Sequence, residues 1–145
     1  MGSLDTKSVI VTGAGRGIGR AEALLLAADG ASVLVNDVDA DEAKNVVEEI
    51  AAAGGTAEAN TDDVATWAGA EATVGHAVDR FGRLDVLVNN AGIIRDAMSF
   101  SMDEEQWDSV VTVHLKGHAA MSHFAGAHWR GRAKAGTTQS PREPG

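Results

Sequence analysis

The sequence predicts an α/β domain: an open, parallel, doubly wound sheet of about four strands with helices on its flanks. Three observations carry this prediction. Short β-branched apolar runs alternate with stretches of helical period. Glycine, at 17 of 145 residues against two prolines, marks the junctions between them. The chain is also long enough for one packed core and too short for two.

Ser8 to Thr12 (Ser-Val-Ile-Val-Thr) is a β-branched run ending in glycine, the pattern of a parallel strand buried on both faces. From Gly17 to Asp29, the residues Ile18, Ala21, Leu24, Leu25 and Ala28 recur at helical spacing, and Gly30 supplies the stop. Ser32 to Val35 is the second strand. Asp39 to Ala53 is the second helix, with Asp39 or Asp41 suited to cap it, Val46, Val47 and Ile50 inward, and Gly54-Gly55 at its end. A weaker third strand (Thr56 to Thr61) and a third helix (Ala65 to Arg80) lead to a strong fourth strand, Leu84 to Val88.

Beyond Asn89-Asn90-Ala91-Gly92, the run Ser101-Met102-Asp103-Glu104 has the form of a serine helix cap with a carboxylate three residues on. A long helix is expected over 103–134, with Trp107, Val110, Val111, His114, Leu115, His118, Met121 and Phe124 on one side and Gly117, Gly126 and Gly131 weakening it. Residues 136–145 offer no apolar residue besides glycine and proline and are expected to form a disordered or frameshifted tail, so the domain occupies 1–135 and the sheet stops at its fourth strand.

Composition excludes several functions. Twenty-one acidic against twelve basic residues give a net charge of -9, an acidic body that repels phosphate backbones, so no nucleic-acid partner is expected. No uncharged apolar run is long enough to span a membrane. The absence of a secretory signal and of any cysteine points to the cytoplasm and rules out disulfides, thiolate nucleophiles and cysteine-ligated metals. The absence of tyrosine removes the phenol as a general acid.

Thr12-Gly13-Ala14-Gly15-Arg16-Gly17-Ile18-Gly19 lies where a phosphate cradle belongs, directly after a strand and opening a helix. Backbone amides at a helix start, backed by the helix dipole, attract a pyrophosphate, and glycines let it approach the main chain. The tight G-x-G-x-x-G spacing is absent; what stands is Gly13-x-x-x-Gly17-x-Gly19, which a plain strand-to-helix turn could also carry. Asp37 follows the second strand, 24 residues after Gly13, near the offset at which an acid hydrogen-bonds the adenosine ribose hydroxyls. A carboxylate there repels a 2′-phosphate and favours NAD over NADP. Arg16 argues weakly the other way, and Asp37 could instead serve as a helix-capping or solvated acid.

These motifs resemble the short-chain dehydrogenase/reductase family: Thr12-Gly13-x-x-x-Gly17-x-Gly19, Asp63-Val64 after the third strand, and Asn89-Asn90-Ala91-Gly92 after the fourth. The resemblance covers about residues 5–135 and implies a partial Rossmann-type NAD-binding domain. It further implies Asp63 and Val64 near the adenine, Asn90, Ala91 and Gly92 beside the nicotinamide-side ribose, and hydride transfer between NAD and an alcohol or carbonyl substrate. The family's catalytic serine, its tyrosine and the lysine four residues later have no counterpart here, and His114 stands where the family has an asparagine. No catalytic residue is therefore assigned, and whether the chain is an enzyme is left open. It is expected to be the N-terminal part of a disrupted dehydrogenase, binding the dinucleotide with negligible turnover. The alternative is a half-domain that binds dinucleotide or joins a homologue, as a homo- or hetero-oligomer through the helix over 103–134. His114 and His118, four apart on one helix face, could ligate a metal, but the remaining histidines do not continue the spacing and no metal is assigned.

Overall fold

The computed structural model describes residues 2–136. Most of the tail expected to be disordered lies outside the described residues. Four parallel strands, β1 (Ser8–Val11), β2 (Ser32–Asn36), β3 (Thr56–Asn60) and β4 (Val86–Val88), form one sheet in the order β3-β2-β1-β4. The chain winds outward from β1 to β3, then crosses back to place β4 on the other side of β1. That reversal opens a crevice at the carboxyl ends of β1 and β4, the position at which open α/β sheets bind ligands.

The central strands β1 and β2 are mostly apolar because both of their faces are covered, whereas the edge strand β3 (Thr-Ala-Glu-Ala-Asn) is mixed. Alternate residues serve opposite cores. Val9, Val11, Val33 and Val35 pack with Ala23 and Ala27 of α1 (Gly17–Ala28) and with Val46 and Ile50 of α2 (Ala40–Ala52). Ile10 and Leu34 face the other way, onto Ala70, Val74 and Ala77 of α3 (Trp67–Phe81) and onto Ala120, Met121 and Ala125 of α5 (His118–Lys134). The register is continuous across the centre, with Ile10 opposite Leu34 on one side and Leu87 on the other.

Local chemistry moves several of the expected boundaries. Asp39 caps α2, its carboxylate accepting from the Glu42 amide. α3 starts at Trp67, two residues later than the spacing predicts, because the Asp63 carboxylate takes the Ala65 amide and Thr66 caps through the Gly69 amide. The serine cap at Ser101 is not formed. Asp103 caps α4 (Glu104–Val111) in a reciprocal box with Gln106, while the Ser101 hydroxyl donates back to the Met98 carbonyl. The expected helix over 103–134 is continuous in path but broken in type, since a π-helical turn, Thr112–Gly117, separates α4 from α5. The apolar face read for α1 is also rotated. Gly19, Ala23 and Ala27 face the sheet, whereas Ile18 and Leu25 are more than two-thirds exposed.

Candidate functional site

The first glycine turn is a structural device before it is a binding one. Gly13 and Gly17 both have positive φ, +61° and +57°, which side-chain-bearing residues adopt at a cost. Their surroundings differ. A Cβ on Gly13 would lie 2.8 Å from the Ala91 Cα, so the turn is pressed against the segment after β4; a Cβ on Gly17 would meet nothing within 4 Å. Gly19 is buried beneath the turn against the Asn90 side chain and the Gly13 carbonyl. Arg16, the N-cap of α1, makes no side-chain cap, so among the described residues no side chain caps the start of the helix, and the space beside Gly17 is open. This is the arrangement that an anionic phosphate fits.

Thr12 fastens the turn to β4. Its hydroxyl accepts from the amides of Asn90 (3.0 Å) and Ala91 (2.9 Å), and it faces the Val88 carbonyl at 3.4 Å. The Asn90 side-chain amide donates to the carbonyls of Thr12 and Gly13. Thr12 is fully buried and thus acts behind the cavity, not on its surface.

Asp37 directly follows β2 and is only 9% exposed. Its carboxylate accepts from the Gly15 amide at 2.9 Å and from the Asp39 amide at 3.0 Å. A carboxylate offers about four acceptor positions, so two protein donors leave capacity for hydroxyls. Arg16 reaches over to pair with Asp39 at 3.2 Å in an exposed ion pair. Beside them, Asn36 bonds Asn60 (2.7 Å) and the Asp62 carbonyl (2.9 Å), and Asn60 in turn bonds the Asp62 carboxylate, fixing the turn that carries Asp63 and Val64.

These groups surround a cavity of about 610 Å³, and Gly13, Arg16, Ile18, Asp37, Asp63, Val64, Asn90, Ala91 and Gly92 line it. Nine of the twelve residues selected from the sequence thus meet around one space, while Thr12, Gly17 and Gly19 lie beside or behind it. Asn36, Val38, Ala65, Ile93 and Val113 also line it and were not selected. Asn36 and Val38 flank Asp37, Ala65 follows Val64 and Ile93 follows Gly92, so adjacency was the available signal; Val113 arrives through the π-helical turn, for which the sequence gives none.

His114 and His118 do not form a metal pair in this geometry. Their rings are 6.2 Å apart, and each Nε2 is engaged with backbone, His114 with Ile93 and His118 with Ala91. Among the described residues no group of three His, Cys, Asp or Glu side chains could hold a metal ion. Likewise, among these residues no helix is long and apolar enough to cross a membrane.

Comparison with known proteins agrees with this architecture. The short chain dehydrogenase family model matches residues 7–137. A hydroxyacyl-CoA dehydrogenase of Mycobacterium tuberculosis is 49% identical over 136 residues, which is 90% of this chain and 43% of that protein. A 3-oxoacyl-[acyl-carrier-protein] reductase of Staphylococcus aureus is 50% identical over 113 residues, 77% of this chain and 46% of the reductase. Among solved structures, a short chain dehydrogenase from Mycobacterium avium superposes with a TM-score of 0.92 at 52% identity, covering 94% of this chain and 52% of its own. A 7α-hydroxysteroid dehydrogenase in complex with NADH and 7-oxo glycochenodeoxycholic acid superposes at 0.81 with 35% identity, covering 86% of this chain and 49% of its own. The chain spans about half the length of these relatives. A strand-turn-helix cradle, an acid closing β2 and an asparagine locked between β1 and β4, together with a family model that covers nearly all of the described residues, make this chain a member of the short-chain dehydrogenase/reductase family.

Proposed function

We propose that this chain binds NAD(H) in the cavity between the glycine turn and the segment after β4, and that these residues alone do not turn over an alcohol. The position of Asp37 carries the NAD reading. Its charge, nearly buried just after β2 and flanking the glycine turn, lines the cavity, and a carboxylate at this point of the fold would repel a 2′-phosphate on the adenosine ribose. Arg16, the base that could have met such a phosphate, is engaged with Asp39. The NADH complex of the hydroxysteroid dehydrogenase supports the same cofactor.

When bound, NAD supplies a hydride acceptor. The residues present bind and orient it: α1 amides for the pyrophosphate, Asp37 for the adenosine ribose, Asp63 and Val64 for the adenine, and Asn90 to Gly92 for the nicotinamide side. The chain has no tyrosine, so the family's proton carrier is missing from these residues. A hydroxyacyl-CoA dehydrogenase and an oxoacyl reductase among the relatives support an alcohol/carbonyl pair as the substrate class.

Titration of the chain with NADH and NADPH, followed by reduced-nicotinamide fluorescence, tests the cofactor. The expected result is saturable NADH binding at least about tenfold tighter than NADPH, which corresponds to about 1.4 kcal/mol. Equal or tighter binding of NADPH would refute the assignment to NAD. Incubation with NAD and secondary alcohols is expected to yield no absorbance of reduced nicotinamide, and steady turnover would refute the second half of the proposal.

A further inference from the structure

Resting on the dinucleotide reading, we propose that His118 is a positioning residue which, with His114, clamps the Ala91–Ile93 segment and sets the shape of the nicotinamide half of the cavity. No general feature of the glycine turn requires these two imidazoles. They lie on the π-helical turn and the first residue of α5, and both turn toward the short segment that leaves β4.

The segment is held from two sides. From β1, the Thr12 hydroxyl takes the Ala91 amide at 2.9 Å. From the helix, His118 Nε2 lies 3.1 Å from the Ala91 carbonyl oxygen. A carbonyl only accepts, so His118 must carry its proton on Nε2. One peptide residue is thereby fixed at both its amide and its carbonyl by side chains from elements 27 and 79 residues apart in sequence from it. His114 anchors the next link. Its Nε2 is 2.8 Å from the Ile93 carbonyl oxygen and 3.1 Å from the Ile93 amide nitrogen, so either protonation state of that nitrogen finds a partner.

Gly92, between the two anchor points, lies against the His114 ring, where a Cβ would come within 2.6 Å of Cε1. Ala91, Gly92 and Ile93 are also the residues that close one side of the cavity. The adenine half is built on the ends of β2 and β3, which neither histidine touches among the contacts above. The clamp should therefore act on one half of a dinucleotide and not on the other.

That asymmetry provides the test. The full chain and its His118→Leu and His118→Gln variants are titrated with NADH and, separately, with AMP, which fills only the adenine half. Leucine keeps bulk and helix propensity without a donor, whereas glutamine keeps an amide donor of similar reach. The expected result is a loss of about three- to tenfold in NADH affinity for His118→Leu, the worth of one hydrogen bond. AMP affinity should stay within about twofold, and His118→Gln should recover most of the NADH loss. Equal weakening of both ligands, weakening of neither, or failure of glutamine to rescue would overturn the proposal. Amide exchange at Gly92 and Ile93 in the ligand-free chain reads the clamp independently: faster exchange in His118→Leu than in wild type supports it, and unchanged exchange overturns it. Failure of the unaltered chain to bind either nucleotide would instead overturn the dinucleotide reading, with the exchange experiment still deciding the clamp.

Discussion

At the scale of single residues, Asp37 does two jobs with one carboxylate. It holds the glycine turn to the end of β2 through the Gly15 and Asp39 amides, and it presents negative charge to the cavity. Removing the side chain in Asp37→Ala leaves the buried Gly15 amide without its acceptor, at a cost of about 1–3 kcal/mol. Urea unfolding should register that loss, and the NADH preference over NADPH should narrow in the same variant because the repulsion of a 2′-phosphate is gone. Full retention of both stability and preference would show that Asp37 is a bystander. The residue was legible in the sequence because its job is tied to a spacing from the first strand. Thr12 and Asn36 were not legible as a clasp and a strut, since their partners, Asn90 and Ala91 for one and Asn60 and Asp62 for the other, are brought near only by the sheet.

Among the elements, the helices show where spacing informs and where it misleads. The inward face of α2 follows the simple rule: Val46 and Ile50 are buried and Val47 packs against the same core. In α1 large apolar residues suggested the wrong face. The helix must approach the sheet closely to present its N-terminus to the crevice, and small residues, Gly19, Ala23 and Ala27, make that approach possible. Ile18 is left to line the cavity. The start of α4 illustrates competition between two caps three residues from plausible partners, which Asp103 wins because Gln106 reciprocates. Asp103→Ala should therefore destabilise the chain by about 1 kcal/mol, while Ser101→Ala should change it by a few tenths at most. Matched urea curves check this, and equal losses from the two variants would assign the cap wrongly. The π-helical turn after α4 has no signature in apolar spacing. It is recognisable only once His114 and His118 are seen to meet the segment after β4.

Over the whole molecule, the alternation of strand and helix was enough to give a parallel sheet with both faces covered, because crossovers of one hand allow few alternatives. What it does not reveal is how the ends of the sheet respond to protons. Near the start of β4, burial alone would raise the Asp85 pKa, but hydrogen bonds from Arg83 and the Ser8 amide, with the charges of Arg83 and Lys7, outweigh it and hold the carboxyl below the usual range. On α5, burial, reinforced by Arg132 and opposed in part by Asp85, pushes the His128 imidazole below the usual histidine range, and its Nε2 is buried with no hydrogen-bond partner among the described residues. Both groups bind protons more weakly in the folded chain than in the unfolded one. Each thus contributes stability that is present above its unfolded pKa and is lost as pH falls. The windows differ: the His128 contribution fades from about pH 6.5 downward and that of Asp85 from about pH 4 downward. The urea midpoint should accordingly decline in two stages on acidification. His128→Gln should flatten the upper stage and leave the lower, whereas Asp85→Asn should flatten the lower stage while lowering stability at neutral pH, since it also removes the acceptor for Arg83. An upper stage of unchanged slope in His128→Gln would show that His128 does not carry it.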